Sequence, residues 1–147
     1  AGSRARKPPV GCGWGGGVHA TSGITQRLQI TLQSDYLHAT RYRGETTGGA
    51  LHWKAHPDIS VKDRDVLVID DMLDEGHTLA AILKALVEQG AASVKIAVLA
   101  EKVHDRKAPG IKADYAGVTV EDRYVFGCGM DYKSYWRQLP AIYAVKE

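Results

Sequence analysis

An α/β domain on an open, mostly parallel sheet is what this sequence predicts, and three observations carry the prediction. A short apolar run, Val66-Leu67-Val68-Ile69, ends on acidic residues, as strands buried on both faces of a parallel sheet do. An apolar stripe of helical spacing follows at Leu79, Ile82, Leu83, Leu86 and Val87, and Gly90 stands where a C′ glycine belongs. A second aliphatic run, Val94 to Ala100, then completes a strand–helix–strand unit. Such βαβ units are normally right-handed and place their strands in parallel.

The other elements follow in chain order. Residues 1–9 are small, basic and proline-ended and read as a disordered tail. The domain proper is expected over 10–147. Val10 to Gly13 reads as a weak strand feeding a glycine loop, Gly15-Gly16-Gly17. Val18 to Leu28 is a poor helix, because Thr21, Ser22, Gly23 and Thr25 all lower helix propensity. Leu32 to Tyr42 is rich in strand formers, and Ala50 to Ala55 is extended again. Two extended arms around the polar stretch from Arg43 to Gly49 suggest a hairpin-like flap. Asp70 to His77 is expected as a polar turn, with the helix starting at Thr78. Beyond the βαβ unit, short strands are expected at Tyr115–Val120, Tyr124–Gly127 and Ile142–Val145.

Composition narrows the function. The chain has 147 residues, 44% hydrophobic and 24% charged, values of an ordinary globular domain rather than a disordered or disulfide-framework protein. Its net charge of +2, from 19 basic and 17 acidic residues, is no electrostatic footprint for nucleic acid. No apolar run approaches a membrane span, and no apolar h-region follows the basic start. Cys12 and Cys128 make no CxxC or metal-finger spacing and read as reduced thiols of a cytoplasmic protein.

The acidic loop carries the chemistry. Ligands of open α/β sheets bind outside the carboxyl ends of the strands, where Asp70, Asp71, Asp74, Glu75, Gly76 and Thr78 lie. Adjacent carboxylates suit a sugar diol or a divalent metal, and a helix opening just beyond offers backbone N–H groups to a phosphate. Together they suit a phosphorylated ribose. The same residues also suit a plain N-cap at Asp74 with Thr78 on the surface, and acidic pairs at strand ends occur in receiver domains and metal-dependent phosphatases as well.

Three separated motifs carry a resemblance. Val66 to Leu79 (VLVIDDMLDEGHTL) is similar to the phosphoribosyl pyrophosphate (PRPP) motif of type I phosphoribosyltransferases. Asp122 to Tyr132, continuing through Tyr135-Trp136-Arg137-Gln138-Leu139-Pro140, resembles the purine-binding tail of the hypoxanthine-guanine members. Asp35 to Tyr42 resembles the strand entering that family's mobile loop. The resemblance runs from about Val10 to the end.

It implies the type I phosphoribosyltransferase fold, with helices flanking the sheet, a flexible flap and a small, incomplete hood. It implies conversion of hypoxanthine or guanine plus PRPP to IMP or GMP plus pyrophosphate, with Mg2+. Asp70 and Asp71 would hold the ribose hydroxyls, directly or through the metal, and residues from Asp74 through Glu75, Gly76 and His77 to Thr78 the 5′-phosphate. Asp74 would be the general base beside purine N7. Lys102 would donate to the 6-oxo group, Tyr124 would stack on the purine, and Val125 would touch it through its backbone. Asp131 would join Asp70 and Asp71 as a metal ligand. Arg137, with Gly15 and Gly16, would bind pyrophosphate, and Arg41 and Tyr42 would belong to the flap. Substrates are therefore small molecules, with no nucleic acid or membrane partner, and a homodimer or homotetramer is implied.

Plain readings stand beside these roles. Lys102 suits a solvated strand end, Tyr124 a half-buried strand and Arg137 a surface cation. His19, His38, His52, His56 and His104 read as surface or satisfied histidines without metal-ligand grouping. Glu75 stands where the family motif commonly has threonine, and Gly15 where some members have lysine. The region before Ile30 reads as shortened relative to the family. That leaves an inactive truncated, or a regulatory PRPP-binding, protein as the alternative function.

Overall fold

The computed structural model describes residues 10–14, 24–41 and 51–146, and of Val10–Trp14, Arg41 and Leu51 the backbone only. The tail at 1–9, Gly15, Gly16 and Tyr42 lie outside the described residues, as does most of the helix expected over Val18 to Leu28.

Six strands form one sheet in the order β3-β2-β1-β4-β5-β6: β1 Val10–Trp14, β2 Gln33–Arg41, β3 Leu51–Ala55, β4 Asp65–Leu73, β5 Ser93–Lys102 and β6 Tyr115–Val120. All neighbours are parallel except β2 and β3, which run antiparallel with a register shift between His38 and Ala39. The weak strand at Val10 is thus central, paired through Gly11 and Gly13 on both sides. Antiparallel β7 (Val125–Phe126) and β8 (Tyr143–Ala144) form a separate small ribbon.

The helix α1, His77–Glu88, covers one face of the sheet. Leu79, Ile82 and Leu86 are its buried stripe, at 2%, 0% and 0% exposure. They pack with Leu37, Val66, Val68, Ile96 and Val98. Each such side chain contributes about 1.5–3 kcal/mol of burial. Val87, expected on the same face, is 59% exposed, because it lies a further 100° round the helix from Leu86. The helix ends as expected. Gly90 takes φ +89°, its N–H reaches the Val87 carbonyl, and the Ala91 N–H reaches that of Leu86, a Schellman ending.

The polar turn is shorter than the sequence suggests. β4 continues through Leu73, because Met72 and Leu73 pair with Ala100 and Glu101 of β5 and Leu73 is fully buried. Asp70 and Asp71 therefore sit inside the strand. Only Asp74, Glu75 and Gly76 connect it to α1.

Candidate active site

Three stretches of chain meet beyond the carboxyl ends of β4 and β5. Asp71, Met72, Asp74, Lys102, Tyr124, Val125, Met130, Asp131 and Arg137 line one open cleft of about 220 Å³. A larger apolar groove of about 780 Å³ runs along the sheet past Leu28, Ile30, Leu67, Leu99 and Tyr115. It is lined almost wholly by aliphatic and aromatic groups. Asp65, Ser93 and Lys95 are its polar exceptions, and the smaller cleft gathers the side chains expected to carry the chemistry.

The connector is held by Gly76. It is the N-cap of α1 with φ +75°, a conformation only glycine adopts cheaply. A Cβ there would lie 2.8 Å from Leu73 Cδ1 and 3.0 Å from Ile111 Cγ1. Among the described residues no side chain caps the helix, so the N-cap reading of Asp74 fails. The first N–H groups of α1 keep their capacity for an anion.

Asp74 instead faces the cleft. Lys102 Nζ donates to its Oδ2 at 2.7 Å, and His104 Nε2 lies 2.8 Å from its Oδ1. The Lys102 side chain is 12% exposed and that of His104 4%. Burial pushes Asp74 upward, but the hydrogen bonds from Lys102 and His104, with the lysine charge, outweigh it and hold the carboxyl below its usual range. Lys102 is therefore no solvated strand-end lysine.

Asp70 and Asp71 behave differently. Burial raises both, Asp70 well above the ordinary carboxylate value with the charge of Asp71 adding to it. Hydrogen bonding with Asp70 and with the Met72 backbone, then the Arg137 charge, draw Asp71 partly back down. Only Asp71 is on the cleft wall, whereas Asp70 is 5% exposed and accepts the Asp71 N–H at 2.8 Å.

Asp131 and Arg137 are paired. Arg137 donates to Asp131 Oδ1 and to the Gly129 carbonyl, both at 2.7 Å, and the Ser134 N–H donates to Asp131 Oδ2. Tyr124 donates through its hydroxyl to the Asp131 carbonyl and sets its ring edge-on to Tyr132. Of the remaining expected residues, His77 lies 3.7 Å from Glu75 at the surface, and Arg41 closes β2 opposite Leu51.

Sequence reasoning missed a second set of contacts. His104 is satisfied, but by Asp74. Arg106 bonds Asp122 at 2.7 Å and approaches Glu75 at 3.9 Å, and the Ala108 N–H donates to the Glu75 carbonyl at 2.7 Å. The segment after β5 is thereby tied to the β4–α1 connector. Spacing held the clue: Lys102 and His104 are two residues apart at a strand end, which puts both on one side. Asp74, His104 and Asp122 also bring ligand atoms within 4.8 Å of one another, correcting the expectation of no such grouping. Lys102 and Arg106 already balance its two carboxylates.

No helix among the described residues is long and apolar enough to cross a membrane. Residues 13–134 match the family described as phosphoribosyl transferase domain. The chain is 32% identical over 142 residues to the hypoxanthine-guanine-xanthine phosphoribosyltransferase of Tritrichomonas foetus, covering 97% of this chain and 78% of that protein. It is 34% identical over 132 residues to the hypoxanthine-guanine phosphoribosyltransferase of Lactococcus lactis, covering 89% and 71%. A hypoxanthine phosphoribosyltransferase from Staphylococcus aureus superposes with a TM-score of 0.87 at 33% identity, over 95% of this chain and 77% of that one.

Proposed function

The chain belongs to the phosphoribosyltransferase family, with hypoxanthine-guanine members among the relatives it matches over most of its length, and from that premise we propose that it transfers the phosphoribosyl group of PRPP to a 6-oxopurine. The products are IMP or GMP and pyrophosphate. The observation that carries this reading is the placement of Lys102 and Asp74 side by side, 2.7 Å apart, on the cleft wall.

A 6-oxopurine presents O6 and N7 on one edge, and adenine replaces the oxygen by an amino donor. A lysine beside a carboxylate matches O6 beside N7–H. Lys102 donates to the oxygen and Asp74 accepts from the ring nitrogen. Adenine leaves Lys102 facing a donor, a mismatch a buried polar site punishes strongly. The half-exposed Tyr124 ring stacks on the base.

The exchange balances as follows. The bond from the ribose anomeric carbon to pyrophosphate oxygen breaks, and a bond to purine N9 forms. The N7 proton passes to Asp74, raising the nucleophilicity of the ring as charge develops at the sugar. The N–H groups opening α1, with the Thr78 hydroxyl, hold the 5′-phosphate. Gly15 and Gly16 of the glycine loop, with Arg137, take the pyrophosphate, which requires Arg137 to loosen from Asp131. Arg41 and Tyr42 belong to the flap that excludes water.

Asp71 on the cleft wall, with Asp70 buried beside it, fits a hard divalent cation. Both are oxygen donors, and burial raises both, a cost a positive ion relieves. Mg2+ held there with Asp131 would neutralise charge on the departing pyrophosphate.

The test is nucleotide formation by the purified chain with PRPP, Mg2+ and, in turn, hypoxanthine, guanine, xanthine and adenine. Product from the 6-oxopurines and none from adenine is expected. PRPP binding without product would support the inactive or regulatory alternative. Light scattering on the same sample checks the dimer or tetramer the family implies.

A further inference from the structure

Asp74 divides its two oxygens between partners of different kinds. Lys102 reaches Oδ2 with a long, flexible chain that the proposed reaction sends to the purine oxygen. His104 reaches Oδ1 with a short, rigid ring, almost wholly buried. That ring is itself fixed. Its Nδ1 accepts the Arg106 N–H at 3.1 Å, and a nitrogen that accepts carries no proton. The proton of the neutral ring is therefore on Nε2, pointing at Asp74. The backbone behind it is fixed in turn by Arg106 on Asp122 and by the Ala108 N–H on the Glu75 carbonyl.

A carboxylate turns easily about its last bond, because that torsion is broad. Once Lys102 lets go, one fixed donor must keep the plane of Asp74 aimed at the substrate. We propose that His104 is a positioning residue for Asp74, holding Oδ1 so that Oδ2 alone is exchanged between Lys102 and the purine N–H, an inference that rests on the reading of Asp74 as the base. The charged or titratable groups facing this pair are Lys102, Asp122, Arg106 and Glu75.

The experiment compares the intact chain with His104→Ala and His104→Gln, whose amide nitrogen can donate from a similar place. His104→Ala is expected to lower kcat about tenfold or more, the usual cost of one hydrogen bond to a charged group, with the KM for PRPP within about twofold. The acid limb of the kcat–pH profile should move to higher pH, because Asp74 loses a donor that favours its ionised form. His104→Gln should recover most of the rate and return the limb. His104→Ala with the parent kcat and limb overturns the proposal. So does loss of kcat and PRPP affinity together in both variants, the pattern of a packing residue. Nitrogen NMR of the histidine rings gives a readout without turnover. The Nε2–H form is expected at His104, with a resonance that moves in Asp74→Asn. An Nδ1–H form, or a ring indifferent to Asp74→Asn, refutes the contact. A parent chain that forms no nucleotide defeats the assignment of Asp74 as base instead.

Discussion

Replacing Gly76 by alanine tests the geometry of the connector in one step. Two costs add. A non-glycine residue at φ +75° pays about 1–2 kcal/mol for the left-handed conformation. Its Cβ would also stand 2.8 Å from Leu73 Cδ1 and 3.0 Å from Ile111 Cγ1. Both neighbours are buried, Leu73 at 0% and Ile111 at 8% exposure, so neither side chain has open space to swing into. Overpacking of that kind costs about 1–3 kcal/mol. The total is about 2–5 kcal/mol, or a fall in Tm of roughly 4–20 °C for a domain of this length. Gly90→Ala is the internal control. It has φ +89°, but its Cβ would meet nothing closer than Lys62 Cγ at 3.4 Å, so it pays only about the first cost. Thermal and urea unfolding of the two variants side by side isolates the packing contribution. If Gly76→Ala is no less stable than Gly90→Ala, the connector does not pack against Leu73 and Ile111 as described, and the reasoning fails.

Three further outcomes are expected. Asp74→Asn should cut kcat about 10²-fold, the usual contribution of a positioned base, while the KM for PRPP stays within about threefold; equal loss of both would make Asp74 an organiser of the loop. Ile82→Ala, which empties a fully buried site between α1 and the sheet, should cost about 2–5 kcal/mol in urea unfolding, and a loss under about 1 kcal/mol would contradict that packing. Asp70→Asn should raise Tm near neutral pH while impairing turnover. Burial, then the Asp71 charge, raises the folded carboxyl, so its share of stability is complete below the unfolded value and is lost as pH rises through the folded one. The advantage of asparagine should therefore vanish below about pH 4, and a Tm gain that persists in acid would refute this origin.

The parts of the fold that were legible in the sequence are those governed by short-range periodicity. The β4–α1–β5 unit and β6 follow from aliphatic runs and one helical stripe. Val87 falls outside the buried stripe, because a stripe read from sequence has no sharp edge. The length of β4 was underestimated because two aspartates resemble a turn. Pairing with β5 and the burial of Leu73, both long-range, decide otherwise. In the site, Lys102, Tyr124, Asp131 and Arg137 were legible only through resemblance to a family, since nothing local distinguishes them from surface residues. His104 escaped because its contact with Asp74 spans 30 residues and is created by where two strands end.

The hydrogen bond from the Ala108 N–H to the Glu75 carbonyl joins the two walls that would recognise the two substrates. One wall is the connector opening onto the phosphate end. The other is the segment after Lys102, on the side where the proposed reaction would seat the base. Residues that share a backbone bond cannot drift independently, so this chain has little freedom to change its choice of base by remodelling the later segment alone. An insertion or loop exchange between Val103 and Ala113 would be felt at the sugar-phosphate end too. Any ordering of one wall by its ligand lowers the cost of ordering the other, by the same factor in either direction. A change of base preference is therefore expected to come more easily through side chains in the cleft than through the backbone that carries them.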